Sequence, residues 1–213
     1  MTVPPFYRSQ EKAVSSYDYY DIASGTGYVI FYGGWTVDKT LLSNVAFYSS
    51  DVLHSNVCPG GGTYGTMQDH DYDIEFRLPR VIKGVLIASV PEGMTLSDSA
   101  ACYIRTTIYV RKVPVAGAEI EIASNVGTAY TLSIGDKRVM DAIDVTIPET
   151  HFKAGESLRI TVLFEAMGGD TGGTSYVYYG HDPYDRNQDE GDSVTFSTYP
   201  STLSFLVPFK VDL

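Results

Sequence analysis

Residues 150–166, THFKAGESLRITVLFEA, constrain the fold more than any other stretch of this chain. Beyond Gly155, which can adopt the positive φ that a tight turn needs, apolar and polar residues alternate. The apolar members of the alternation are Leu158, Ile160, Val162 and Phe164. A period of two is that of a β-strand with one face on a core. The stretch therefore predicts a turn followed by a core strand.

The rest of the chain offers partners for this strand and no competing helix. No segment of ten or more residues keeps an apolar period of 3.6, so we expect little helix. Pro91, Gly93 and their neighbours in 91–94 predict a turn. The candidate strands are 28–32, 41–48, 69–78, 81–90, 101–112, 118–123, 139–147, 175–179 and 203–211.

About eight to ten short strands separated by Gly/Pro turns are typical of an antiparallel β-sandwich. Residues 17–213 then form one all-β domain, and the length and long loops favour a jelly roll over an immunoglobulin-like topology. Residues 1–16 lack periodicity and are expected to form an extended N-terminal arm.

Three strands carry the predicted core. Besides the four apolar residues after Gly155, the residues expected to be buried are Ile143, Val145, Ile147, Phe205, Val207 and Phe209. Pro208 falls on the outer face of the last strand, which suggests an edge strand or a bulge, because proline cannot donate to a ladder.

A row of acidic residues shares one face of the strand 69–78. Its members are Asp69, Asp71, Asp73 and Glu75. Calcium sites draw ligands from curved loops, so a solvated face paired with basic residues is the preferred interpretation. Residues 103–112, with Arg105 and Arg111 on one face, are the expected partner strand.

No catalytic, metal or cofactor motif emerges from the sequence. The glycine run 60–62 lacks the lysine and spacing of a phosphate loop. The string 185–191 opens like a calcium loop, but Glu190 and Phe196 occupy positions that need glycine and glutamate. A carboxylate pair for glycoside chemistry stays open, because it depends on spatial separation. We expect no enzyme activity, no cofactor and no metal.

The two cysteines, Cys58 and Cys102, have no metal-ligand spacing. The N-terminal residues lack the apolar core of a signal peptide, and no apolar run is long enough to span a bilayer. We therefore expect synthesis in a reducing cytoplasm, with both thiols reduced and a disulfide as the alternative, and no membrane partner.

Charge and aromatic content bear on partners. A net charge of −11 without a basic cluster argues against nucleic-acid binding. The 17 tyrosines favour surface contacts, since tyrosine combines a large contact area with a polar tip. The segment 17–35 is the richest, and we expect Tyr17, Tyr19, Tyr20 and Trp35 to form an interface between copies, with a trimer the first expectation.

The string HFKAGESLRITV, the GHDP element at 180–183 and the closing VPFKVDL together resemble uncharacterised β-sandwich virion proteins of tailed viruses. The likeness covers roughly the last 70 residues, with a weaker one through 17–32. It implies a capsid decoration or accessory protein whose partners are the major capsid protein or another virion protein. It implies no catalytic residue.

Two functions follow as expectations. The first is a non-enzymatic structural protein on the outside of a virus particle. The second is a carbohydrate- or receptor-binding module of a tail or fibre, in which exposed aromatics stack on a ligand. The candidates for stacking are Tyr176, Tyr178, Tyr179 and Tyr184.

Overall fold

The computed structural model describes residues 20–21, 26–36, 39–45, 53–57, 62–96, 102–132, 135–168, 176–180, 189–190, 194–195 and 202–210. These residues form antiparallel strands joined by turns, and none of them is helical. Accordingly, the described part of the chain has no helix that is long and apolar enough to cross a membrane. The expected all-β class is confirmed.

Two sheets account for nearly all the strands. The larger sheet contains β1 (Tyr20–Asp21), β2 (Thr26–Thr36), β3 (Lys39–Ser43), β4 (Leu53–Val57), β6 (Arg80–Leu96), β10 (Gly135–Phe152), β12 (Tyr176–Gly180) and β15 (Ser204–Lys210). The smaller sheet contains β5 (Gly65–Glu75), β7 (Cys102–Val113), β8 (Ile120–Val126), β9 (Tyr130–Leu132) and β11 (Ser157–Gly168). A separate two-stranded pair joins β13 (Asp189–Glu190) to β14 (Val194–Thr195).

The pairing order places the longest strands at the centre. In the larger sheet the order is β1-β2-β15-β6-β12-β4, with β10 also on β6 and β3 on β2. In the smaller sheet it is β5-β11-β7-β8, with β9 also on β7. The two-sheet sandwich is therefore established, while the jelly-roll connectivity stays a prediction.

The core lies between the inner faces of the two sheets, as the alternation predicted. Leu158, Ile160, Val162 and Phe164 on β11 are at most 1% exposed. The predicted residues of β10 are buried as well, and so are Phe205 and Val207. Phe209 packs against the core but stays partly exposed, because it lies near the end of its strand. Aromatic contacts join the sheets, such as Tyr72 with Phe205 at 6.0 Å between ring centroids.

Strand β6 continues through the region where the sequence predicted a turn, so that prediction is wrong. Pro91 pairs with Met140, and Glu92 pairs with Val139 on one side and Tyr179 on the other. The ladder to β10 overrides the turn preference of proline and glycine. A strand this long can bond to β15 along its first half and to β12 along its second.

Pro208 lies at a bulge, as predicted, but its strand is internal rather than at an edge. β15 pairs with β2 without interruption, whereas its ladder to β6 is broken between Leu206 and Phe209. Proline has no N–H to donate, so it fits where the ladder is interrupted. Gly84, with a φ of 129°, lies on β6 at the same irregularity.

The predicted turn before β11 is present and carries its own polar contacts. Gly155 has a φ of 85°, and its N–H donates to the carbonyl of Phe76 at 2.8 Å. The Glu156 carboxylate accepts from the backbone N–H of Lys153 at 2.6 Å and lies 2.7 Å from the Lys112 ammonium. The hydrogen bond to Lys112 lowers the pKa of Glu156.

Cys102 is disulfide-bonded, so the expectation of two reduced thiols is wrong. Cys58 is the only other cysteine in the chain, and it follows directly after β4 in the sequence. Cys102 opens β7 and its side chain is fully buried. The bond therefore links a chain segment next to the larger sheet with the smaller one. Cysteine spacing alone could not reveal this proximity.

The buried face of β11 gives the first prediction. We expect Phe164→Ala to lower the free energy of unfolding by about 3 to 5 kcal/mol, the usual cost of emptying a buried aromatic site. Urea melts measure it. Leu163→Ala, on the half-exposed side of the same strand, is the matched control and should cost much less. Equal losses would show that the assigned faces are wrong.

The disulfide gives the second prediction. Alkylation of the unreduced, denatured protein should leave both cysteines unlabelled in mass spectra. Because the bond closes a loop of about 45 residues, reducing it should lower stability by up to about 4 kcal/mol in the chain-entropy account. Complete labelling without reductant would contradict the bond.

Candidate functional site

The residues that the sequence singled out for an interface lie only partly within the described residues. Tyr17 and Tyr19 lie outside them. Tyr20 pairs with Gly27 at one end of β2, and Trp35 pairs with Thr40 at the other end. Eight residues of strand separate Gly27 from Trp35, which is about 26 Å. An interface holding both Tyr20 and Trp35 must therefore extend along the whole of β2.

The outer face of the smaller sheet carries the acidic row that the sequence predicted. Its direct neighbour is β11, however, and not the strand that contains Arg105 and Arg111. The cation at the centre of the face is Arg159. Arg159 alternates with the buried residues Leu158 and Ile160 along β11, but its partnership with the acidic row depends on strand register, which composition does not reveal.

Arg159 binds carboxylates from two sides. It makes two hydrogen bonds to Asp73, at 2.8 and 2.7 Å, and lies 3.0 Å from Asp71. On the opposite side its guanidinium donates to Glu119 at 2.9 Å. Arg111 adds a longer contact to Asp71, at 3.7 Å. Charge pairing thus runs across the strands of the sheet, as expected, but through Arg159.

A second ion pair lies further along the same face. Arg105 donates to both carboxylate oxygens of Glu165, at 2.9 and 3.2 Å, and its pKa is raised by these bonds. Its guanidinium also lies 3.9 Å from the centre of the Tyr64 ring, within cation–π range. Thr107 donates to the same Glu165 at 3.3 Å. The three arginines of this face are therefore all engaged by neighbouring side chains.

Two acidic residues lie inside the sandwich. Glu92 is 0% exposed and Asp141 is 2% exposed. The register pairs Val90 with Asp141 and Val139 with Glu92, so the two acids are diagonal neighbours on the inner face of β6 and β10. Neither forms an ion pair with any described residue. Burial without a cation is costly for a carboxylate, which makes this pair the most unusual polar feature of the described chain.

Asp141 is held by hydrogen bonds from the segment between β8 and β9. The backbone N–H of Thr128 donates to Oδ2 at 3.0 Å, and the Tyr130 hydroxyl donates to Oδ1 at 3.1 Å. Burial raises the pKa of Tyr130, so its hydroxyl stays protonated as a donor. Gly127 lies so close that a Cβ there would be 2.2 Å from Oδ2, which explains the glycine.

Glu92 has a different environment. Both of its carboxyl oxygens lack a hydrogen-bond partner among the described residues, and so does the nearby Thr106 hydroxyl. Burial raises the pKa of Glu92 to about 8, and the charge of Asp141 adds to the rise. At neutral pH Glu92 is therefore protonated and uncharged.

The period-two pattern contained a signal for this pair. Asp141 has the same parity as Ile143, Val145 and Ile147, which the sequence assigned to the core. Glu92 has the same parity as Val90 on β6, but the turn predicted at 91–94 hid the relation. An acid on the apolar side of a strand was thus visible in the sequence and was not used.

A shallow depression lies beside the buried acids, at the surface. Residues 125–128 and 142–144 line it, and its volume is about 310 Å³. Between two of its lining residues, the Asn125 side-chain amide donates to the carbonyl of Asp144 at 2.7 Å. A glycoside-type pair needs access to a substrate, and the sealed position of Glu92 and Asp141 denies it.

The described residues hold no cluster of three or more His, Cys, Asp or Glu side chains suited to a metal ion. The calcium-like string 185–191 lies outside the described residues except for Asp189 and Glu190 in β13.

Comparison with known proteins places the fold but not the activity. No protein-family model and no curated protein matches the chain. An aminopeptidase from a marine sediment Thaumarchaeota archaeon superposes on 87% of this chain with a TM-score of 0.52 and 9% identity. A CocE/NonD family hydrolase from Staphylococcus aureus covers 86% with a TM-score of 0.49 and 12% identity.

Each hydrolase is much longer than this chain, which spans 37% of either one. A chain from infectious bursal disease virus, Gx strain, covers 84% with a TM-score of only 0.30. At these identities the aminopeptidase supports the β-sandwich fold alone. The CocE/NonD family hydrolase and the virus chain have TM-scores below 0.5, so no conclusion is based on them.

The buried pair gives the third prediction. A raised pKa means that the folded state keeps a proton that the unfolded state releases, so stability should fall as pH rises from about 4.5 to about 8. Once the pH lies well above 8, the total loss in the free energy of unfolding should be roughly 5 kcal/mol. Glu92→Gln, which cannot ionise, should flatten this fall and be more stable than wild type above pH 8.

Denaturant melts from pH 5 to 9 measure the effect. Glu121→Gln, an exposed acid on β8, is the control and should keep the wild-type profile. Parallel profiles for wild type and Glu92→Gln would contradict a buried, protonated Glu92.

Proposed function

We propose that this chain is a non-enzymatic structural protein of a virus particle, a capsid decoration or accessory protein on the outer surface. The observation that carries the proposal is the outer face of the smaller sheet. Its arginines are bound to carboxylates of neighbouring strands rather than directed into a pocket. Such a face is ordered and already neutralised in part, which suits a scaffold.

The buried acids support the same proposal. A catalytic carboxyl must touch its substrate, whereas Glu92 and Asp141 are enclosed between the sheets. Their contacts hold the segment after β8 in place. Their role in this account is structural.

Location and partners complete the proposal. A disulfide persists in oxidising surroundings, among which are virion surfaces, although synthesis takes place in the host cytoplasm. The partners are other copies of the chain, as a trimer, and the major capsid protein or another virion protein. Contacts involve Tyr17, Tyr19, Tyr20 and Trp35, with the arm 1–16 reaching onto a neighbour.

A carbohydrate- or receptor-binding module is the second candidate function. It is favoured by tyrosines on the outer face of the smaller sheet, where Tyr64 lies against Arg105 and Tyr109 lies 4.8 Å from Arg111. Aromatic rings beside fixed polar groups are suited to sugar rings. Of the tyrosines first considered, Tyr176, Tyr178 and Tyr179 lie on β12 and Tyr184 lies outside the described residues.

Deletion of the arm gives the fourth prediction. Removing residues 1–16 should abolish attachment to capsids purified without this chain, while the melting temperature stays close to that of the full chain, because the arm has no core of its own. Co-sedimentation with the capsids measures attachment. The control is Tyr64→Ala with Tyr109→Ala, which should still attach. Normal attachment of the deletion variant would favour the carbohydrate- or receptor-binding module. So would a loss of glycan binding in the variant that carries both Tyr64→Ala and Tyr109→Ala.

A further inference from the structure

One end of the sandwich combines three turns of the chain. We define the loop end as residues 76–80, 114–119 and 153–156 together with Ile120, the first residue of β8. Backbone hydrogen bonds tie the first and third of these segments, from Phe76 to Glu156 at 2.9 Å and from Gly155 to Phe76 at 2.8 Å. The second segment packs on them, since a Cβ at Gly155 would lie 3.1 Å from Val115.

The loop end exposes large apolar side chains. Leu78 is 61% exposed, Val115 is 75% exposed and Ile120 is 56% exposed. Ile120 belongs here because its register partner is Lys112, whose ammonium contacts Glu156 in the turn. Single exposed aliphatic residues are common, but three at one end of a domain mark a contact surface.

The loop end also carries three exposed cations, Arg77, Arg80 and Lys153. None of them forms a salt bridge with a described residue, although the charge of Lys153 acts together with Lys112 on the carboxyl of Glu156. Lys112, by contrast, is neutralised by Glu156. Two exposed acids belong to the same region: Glu75 precedes the segment 76–80, and Glu119 lies in the segment 114–119, where it is paired with Arg159. The chain as a whole has a net charge of −11, so cations beside exposed apolar side chains distinguish this end.

A complementary surface exists on the same chain. The outer face of the smaller sheet has exposed acids at both edges, Asp69 on β5 and Glu121 on β8. The register row of Asp69 also contains Leu163, half-buried, and Val126, 48% exposed, whereas Glu121 lies on the row of Arg111. This face therefore combines acids with apolar side chains, whereas the loop end combines cations with the apolar side chains of Leu78 and Val115. The two surfaces are complementary in charge.

We propose that the loop end of one copy binds the acidic outer face of the smaller sheet in a second copy. The contact joins two different surfaces, so it is heterologous and generates a ring when the rotation closes, as in a trimer. This inference deepens the proposed function and rests on its claim of self-association. It adds the two surfaces and the charge complementarity that brings them together.

Sedimentation equilibrium of the full chain tests the proposal. The loop-end reversal variant, Arg77→Glu with Arg80→Glu and Lys153→Glu, should weaken self-association at least about tenfold, and added salt should weaken the wild type in the same direction. Leu78→Ser with Val115→Ser should weaken it as well. The matched control is Lys83→Glu with Lys210→Glu, which reverses cations on the other sheet and should leave association unchanged.

A charge-swap partner makes the test specific. Asp69→Lys with Glu121→Lys should also fail to associate with itself, and mixing it with the loop-end reversal variant should restore a complex. Melting curves should show that all variants remain folded, since the substituted side chains are exposed.

Three results would overturn the proposal: a wild type that is monomeric at every concentration, a reversal variant that associates like wild type, or a mixture that stays dissociated. Binding of the loop end to vesicles containing phosphatidylglycerol, without self-association, would assign the surface to a membrane instead. Self-association through the loop end in a chain that never attaches to capsids would refute the proposed function and leave this inference intact.

Discussion

The rest of this structure depends on one constraint: the carboxyl groups of Glu92 and Asp141 are enclosed between the two sheets. Each acid on an inner face must find donors or keep its proton, because water does not reach it. Asp141 has donors in Thr128 and Tyr130, and these contacts fix how the chain passes from β8 to β9. Glu92 has no hydrogen-bond donor among the described residues, so its carboxyl group remains protonated.

The two faces of the smaller sheet differ in the charged side chains that they carry. Its inner face is mainly apolar, with Thr106 and His70 among the polar exceptions, whereas its outer face joins arginines and carboxylates of neighbouring strands. These outer pairs are partly exposed, so each contributes only about 0 to 1 kcal/mol to stability. Their effect is to order the face. Three exposed cations without a salt bridge to a described residue, Arg77, Arg80 and Lys153, lie at the loop end, which is why we propose contact with another copy there.

The sequence was sufficient for the fold wherever a local pattern decides it. Alternation in β11 identified Phe164 and its neighbours as core, and Gly155 identified the turn before them. Non-local choices were not accessible in this way. Pro91 favours a turn locally, and only the ladder to β10 carries the strand through it. The partner of Cys102 and the position of Arg159 between β5 and β7 likewise depend on register and packing between distant segments.

The candidate site was foreseen in part for the same reason. The acidic row and its pairing with arginine follow from period two, while the sealed acids required knowledge of which strands continue and which face each other. Tyr20 lies on β1 and Trp35 lies on β2. The distance between them follows from how these strands pair, which composition does not reveal.

The most direct test of the account is the protonation state of Glu92. The side-chain carboxyl carbon can be followed by ¹³C NMR as a function of pH and assigned by its disappearance in Glu92→Gln. The account predicts a titration midpoint near 8, with the group neutral at pH 6. A midpoint near the ordinary value of 4.5 would contradict it, because Glu92 would then be charged, solvated and outside a closed sandwich.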